Sequence, residues 1–208
     1  CGERYLYQRT ADRARVFQLR CRSWNCPRCR PRRQQQLRAI AYAGHPVTFL
    51  TLTCNPFLHE SPGDAARAMS AAWRALRRLI EAQHKGIKPE WMTVVEATKR
   101  GWPHLHVLTT KRWIDQKWLS KQWERLTGAK IVDIRRVQNP RQMASYVAKY
   151  VGKAPHKFMK LKRYYTTRGY RSAKPQRPAQ YDWSNASSEL HTGNFLTLAM
   201  ALRASGWQ

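Results

Sequence analysis

"WMTVVEATKRGWPHLHVLTT", residues 91–110, decides the fold. Both halves are rich in β-branched and apolar residues, and Lys99–Gly101 between them supplies a turn, so the stretch reads as a β-hairpin. Alternation puts Trp91, Thr93 and Val95 on one face of the first strand, and Met92, Val94 and Glu96 on the other. In the second strand Leu105 and Val107 point into a core, while His104 and His106 share the opposite, exposed face. With the turn centred near Arg100, Glu96 falls across the ladder from His104, where side chains of paired strands meet.

The hairpin's neighbours complete a pattern. "VTFLTLTCNP" (47–56) reads as a strand that stops at Asn55-Pro56, with Leu50, Leu52 and Cys54 on one face and Phe49, Thr51 and Thr53 on the other. "SPGDAARAMSAAWRALRRLIEAQH" (61–84) reads as a helix whose stripe is Ala65, Met69, Ala72, Trp73, Leu76, Leu79 and Ile80. After the hairpin, "IDQKWLSKQWERLTG" (114–128) is a second helix, with Leu119, Trp123 and Leu126 inward and Gly128 as its stop. "KIVDIRRV" (130–137) is a further strand. "NPRQMASYVAKYVGK" (139–153) is a third helix, with Asn139 as N-cap and Pro140 in its first turn. This order predicts an α+β fold, the ferredoxin-like split βαβ arrangement with a central antiparallel sheet.

Three segments are expected: a cysteine-rich, zinc-knuckle-like segment over 1–45, the core over 46–154, and a basic C-terminal extension over 155–208 packing on that core. In the first, "YLYQRT" and "RVFQLRC" read as a hairpin; in the last, "NFLTLAMALRASG" (194–206) reads as a short helix.

Lys plus Arg number 39 against 12 acidic residues, a net charge of +27. Folding does not call for that excess, and self-repulsion opposes it, whereas counterion release from phosphates rewards it. Nucleic acid is therefore the expected partner. The basic residues are densest over Arg13–Arg38 and His156–Arg177. Arg22, Arg28, Arg30, Lys99, Arg100, Arg163 and Arg168 are the candidate DNA contacts. No apolar run reaches the length of about 18 residues that a membrane span needs, so no membrane partner is expected.

Four of the five cysteines lie in the first 29 residues. "CRSWNCPRCRPRR" places Cys21, Cys26 and Cys29 around a C-x-x-C turn, and Cys1 is the candidate fourth ligand of a structural Zn²⁺. His45 or Cys54 is the alternative to Cys1, and free thiols are the alternative to a metal. Clustered thiols of this kind suit a reducing compartment, here the cytoplasm, better than a disulfide framework.

Glu96, His104 and His106 make two imidazoles and a carboxylate, a set that suits a divalent cation with positions left open for a substrate, Mg²⁺ or Mn²⁺. Two ordinary polar residues on a wetted strand is the plainer alternative. In the third helix Tyr146 and Tyr150 lie one turn apart, beside Lys149 and Lys153, while Val147 and Val151 form a separate packing row. A tyrosine oxygen can attack phosphorus, and a nearby cation favours its phenolate. The alternative is an aromatic packing stripe.

On these residues the chain resembles the HUH endonucleases. "FLTLT" (49–53) looks like their first motif, "PHLHV" (103–107) with Glu96 like their metal motif, and "YVAKYVGK" (146–153) like the two-tyrosine third motif of rolling-circle replication initiators of phages, plasmids and Helitron-like transposons. The resemblance implies a metal-dependent nickase acting on single-stranded or hairpin origin DNA. One tyrosine joins the 5′ phosphate, a 3′-OH is released, and the second tyrosine resolves the product. Lys149 and Lys153 become auxiliary cations near the phosphate. The chain lacks a G-x-x-x-x-G-K-[ST] loop, so unwinding and synthesis would fall to a host helicase and polymerase. A transposase, a relaxase, or a non-catalytic zinc module that binds nucleic acid are the competing functions.

Overall fold

The computed structural model describes residues 1, 4–9, 14–83, 86, 88–153, 158, 161–170, 187–192 and 195–204. They divide into two units, Cys1–Arg33 with Pro175–Gln208, and Gln34–Lys174.

The smaller unit holds β1 (Arg4–Arg9) and β2 (Ala14–Leu19), the antiparallel hairpin read from the sequence. A strand the sequence did not announce, β8 (Ser187–Thr192), pairs antiparallel with β1 on its other side. The expected C-terminal helix is α5 (Phe195–Ala204). Tyr5, Trp24, Cys29 and Leu198 are buried here.

The larger unit is built on a five-stranded antiparallel sheet in the order β6-β3-β5-β4-β7. Its strands are β3 (Thr48–Thr53), β4 (Trp91–Ala97), β5 (Pro103–Thr109), β6 (Val132–Arg136) and β7 (Tyr164–Thr166). The first four stand in the split βαβ order, and the short β7 adds an edge beside β4. The β4–β5 turn closes where expected. The Gly101 N–H donates to the Thr98 carbonyl at 2.9 Å, and Gly101 takes φ +84°, a conformation that glycine reaches without steric cost.

Two helices cover one face. α2 (Pro62–Ala82) starts at Ser61, whose hydroxyl accepts from the Asp64 N–H. α3 (Gln116–Thr127) starts at Asp115 and ends at Gly128 with φ +68°. Their stripes meet Leu50, Leu52, Trp91, Val95, Leu105 and Val107 in one core. Two buried indoles anchor it through their N–H groups. Trp73 donates to Thr93 Oγ1 at 2.9 Å, and Trp123 donates to the Thr53 carbonyl at 2.8 Å. Truncating either indole to alanine would cost about 3–5 kcal/mol.

The second face corrects an expectation. The histidine face of the hairpin is not open, because α4 (Pro140–Lys153) lies over it, burying Ala144, Val147, Ala148 and Val151. A helix missing from the sequence reading, α1 (Arg30–Ala43), packs beside α4. A Cβ added at Gly152 would meet the side chain of Gln34 on α1, which would have to turn aside. Tyr170 locks α1 from below: it is buried, and its hydroxyl donates to the Ala41 carbonyl at 3.0 Å.

Candidate functional site

The site sits between the β3–β5–β4 strands and α4. Register brings its parts together: Glu96 opposes His104, Val94 opposes His106, and His106 in turn opposes Thr51 of β3. Residues opposite one another on paired strands share a face, so Phe49, Thr51, Glu96, His104 and His106 all look toward α4.

His106 is the hub. It is 7% exposed, and both ring nitrogens are engaged. Nε2 lies 2.6 Å from Glu96 Oε2, and Nδ1 lies 3.2 Å from Thr51 Oγ1. An ionised carboxylate only accepts, so Nε2 donates to Glu96, while the Thr51 hydroxyl can either donate to Nδ1 or accept from it. The Phe49 ring stacks on the imidazole, centroids 5.4 Å apart and planes 14° apart. His104 stands edge-on to His106, centroids 6.3 Å apart. Burial, with His106 beside it, pushes the His104 pKa below its ordinary value, against a weaker pull from Glu96. At neutral pH His104 is thus the uncharged imidazole that binds metals.

The two tyrosines enter from α4. The Tyr150 ring lies 5.9 Å from the His106 ring, and Tyr146 lies 4.6 Å from Tyr150 and edge-on to Phe49 at 5.9 Å. Tyr146 is the outer one, 40% exposed. Its pKa is pushed up to about 12, first by its hydrogen bond with Tyr150, then by burial; Arg135 pulls it the other way. Lys149 is exposed on the helix, and the side chain of Lys153 lies outside the described residues.

Glu96, His104 and His106 suit a divalent cation by chemistry, although their donor atoms do not all converge. Among the described residues, the group of ligand atoms lying mutually within 4.8 Å is Cys1, Cys21, Cys26 and Cys29 in the smaller unit, a set that can hold a metal such as zinc. Cys1 Sγ lies 3.3 Å from Cys29 Sγ, and Cys21 Sγ lies 3.8 Å from it. The Cys29 backbone N–H lowers the Cys26 pKa, favouring the thiolate, while burial raises that of Cys29. Of the alternatives to Cys1, His45 packs against Tyr42 and Cys54 against the larger unit's core.

The candidate DNA contacts divide. Arg22, Lys99, Arg100 and Arg168 are exposed. Arg28 is exposed as well and donates to the Cys1 carbonyl at 2.8 Å, and Arg30, partly buried, donates to the Trp24 carbonyl at 3.1 Å. Arg163 is half-buried in the segment whose carbonyl accepts from the Val95 N–H. Much of the basic run His156–Arg177 lies outside the described residues.

Three participants escaped the sequence reading: Thr51, Phe49 and Arg135. Alternation had placed Phe49 and Thr51 on the right face, and both lie in the "FLTLT" stretch, but neither was assigned a role. Arg135 opposes Phe49 in the β3–β6 register, which sets it on the tyrosine side.

A protein-family model described as "Replication-associated protein ORF2/G2P" matches residues 47–155, just over half of the chain and the whole of this site. No curated protein and no solved structure shows significant similarity to it.

Proposed function

We propose, from the premise that this chain belongs to the replication-associated protein ORF2/G2P family, that it is an HUH-type nickase and strand transferase that initiates rolling-circle DNA replication. The observation that carries the reading is the shared chamber of two tyrosines, two histidines and Glu96, with Tyr150 in ring contact with His106. Its substrate is single-stranded or extruded hairpin origin DNA in a bacterial cytoplasm, with a helicase and polymerase supplied by the host.

Glu96, His104 and His106 would hold Mg²⁺ or Mn²⁺. Bound there, the cation would polarise the scissile phosphate and stabilise charge on its non-bridging oxygens. For His106 to offer Nε2, its proton must move to Nδ1. The Thr51 hydroxyl both donates and accepts, so it can hold the ring in either tautomer.

Tyr150 is the first nucleophile in this account. Its oxygen gives its proton to solvent and attacks phosphorus, the bond from phosphorus to the 3′ oxygen breaks, and that oxygen leaves as a 3′-OH after taking a proton from water. The 5′ phosphate stays on the tyrosine. Tyr146, with its raised pKa, keeps its proton at neutral pH and donates a hydrogen bond to the Tyr150 oxygen as that oxygen gains charge. After one round of synthesis Tyr146 serves as the second nucleophile. Arg135 and Lys149 are the cations on this side for the phosphate, with Lys153 at the end of the helix. Cys1, Cys21, Cys26 and Cys29 hold a structural Zn²⁺.

The test is cleavage of labelled single-stranded origin DNA in Mn²⁺ and in EDTA. Metal-dependent cutting that disappears in Glu96→Gln and His106→Ala supports the proposal. Cutting that persists in both variants, or in EDTA, contradicts it.

A further inference from the structure

The side of the sheet away from the tyrosines carries a groove of about 650 Å³, within the size range of ligand clefts. Val47, Ile114, Ile134 and Val137 form its apolar part; Thr48, Arg112, Trp113 and Arg136 complete its lining, and no acidic residue does. Trp113 is 75% exposed, whereas every other described tryptophan is at least half-buried. An indole held in water costs solvation and returns nothing to the fold. Flanked by Arg112 and joined across the groove by Arg136, it has the composition of a single-strand platform: an aromatic face for a base, and guanidinium groups for the phosphates on either side.

We propose that this groove binds single-stranded nucleic acid, with one base stacked on Trp113 and the flanking phosphates paired to Arg112 and Arg136. β6 connects it to the chamber. It is an edge strand, and its neighbouring residues Arg135 and Arg136 point to opposite faces, one opposite Phe49 and the other opposite Thr48. A strand leaving the tyrosines can therefore pass from Arg135 to Arg136 over an edge that no other described strand covers. The groove shares only its single-stranded ligand with the nickase reading and holds that ligand without any chemistry.

The experiment measures binding of fluorescein-labelled dT30, which contains no origin, in EDTA by anisotropy across a range of NaCl concentrations. Trp113→Ala should weaken binding between about fivefold and 150-fold, the range expected for one lost stack. Trp113→Phe should recover most of it. Arg136→Ala should reduce the salt slope by about one. dT30 contains no origin and EDTA removes divalent cations, so no cleavage enters the reading, and a failed nickase reading would leave this result standing. Unchanged affinity in Trp113→Ala, with an unchanged circular dichroism spectrum, overturns the proposal and leaves Trp113 to a protein partner.

Discussion

Thr51 Oγ1 lies 3.2 Å from His106 Nδ1, on the far side of the ring from Glu96. The contact fixes the orientation of the buried imidazole and can serve either tautomer. Thr51→Val keeps the shape and removes the hydroxyl. Mn²⁺ affinity, measured by calorimetry, should fall about 10–100-fold, and cleavage with it, while Thr51→Ser restores both. Equal loss in valine and serine variants would mean that Thr51 only fills space.

In the proposed reaction the two tyrosines take different steps. Tyr150→Phe should abolish the first cut. Tyr146→Phe should slow that cut by about tenfold, the worth of one hydrogen bond to a developing charge, and abolish the second transfer. Single-turnover cleavage and a separate joining assay distinguish these outcomes; full first-cut activity in Tyr150→Phe would reverse the assignment.

Alkaline pH should unfold the larger unit. Tyr146, Tyr165 and Tyr170 all have raised pKa values, Tyr146 to about 12, and burial is the leading cause for the other two. A pKa raised on folding contributes stability that is whole below the unfolded value, about 10 for tyrosine, and is lost as pH climbs toward the folded value. Melting temperature should therefore be flat between pH 8 and 9.5 and drop from about pH 10 upward. Tyr170→Phe removes the hydroxyl that bonds the Ala41 carbonyl. It should cost about 1 kcal/mol at pH 7 and soften the alkaline drop.

The cysteine cluster should carry one zinc ion per chain, read by elemental analysis. Cys29→Ser should lose it, because Cys29 lies within 3.8 Å of both Cys1 and Cys21. Cys54→Ser should keep it. Chelation should lower the melting temperature of wild type and leave Cys29→Ser unmoved.

The sheet was legible because its signals are local. Alternation and the Lys99–Gly101 turn set the β4–β5 register, and register alone placed Glu96 opposite His104. Asn139, Ser61, Asp115 and Gly128 marked helix ends through chemistry that acts within a turn. What covers a face is not local. Tyr146 and Tyr150 read as candidate nucleophiles, with a packing stripe as the alternative, because Val147 and Val151 form a separate packing row, and only the assembled layer shows His106 under α4. α1 was missed because "RPRRQQQLRAIAYA" is polar over most of its length, with Leu37 and Ala41 its fully buried residues. β7 is three residues long and β8 is "SSELHT", too short and too polar to stand out. Trp113 gave no signal either: one tryptophan among nine reads as core until its exposure is seen.

The central claim is that Tyr150 becomes covalently joined to a 5′ phosphate beside His106. The direct measurement is mass spectrometry of tryptic peptides after Mn²⁺-dependent cleavage of a suicide oligonucleotide, whose short 5′ fragment, bearing the freed 3′-OH, diffuses away and so traps the intermediate. The account predicts a nucleotide adduct on Tyr150 in wild type and in Tyr146→Phe, and none in EDTA or in Glu96→Gln. An adduct found on Tyr146 or any other residue in place of Tyr150, or cleavage with no protein-linked DNA, would contradict it.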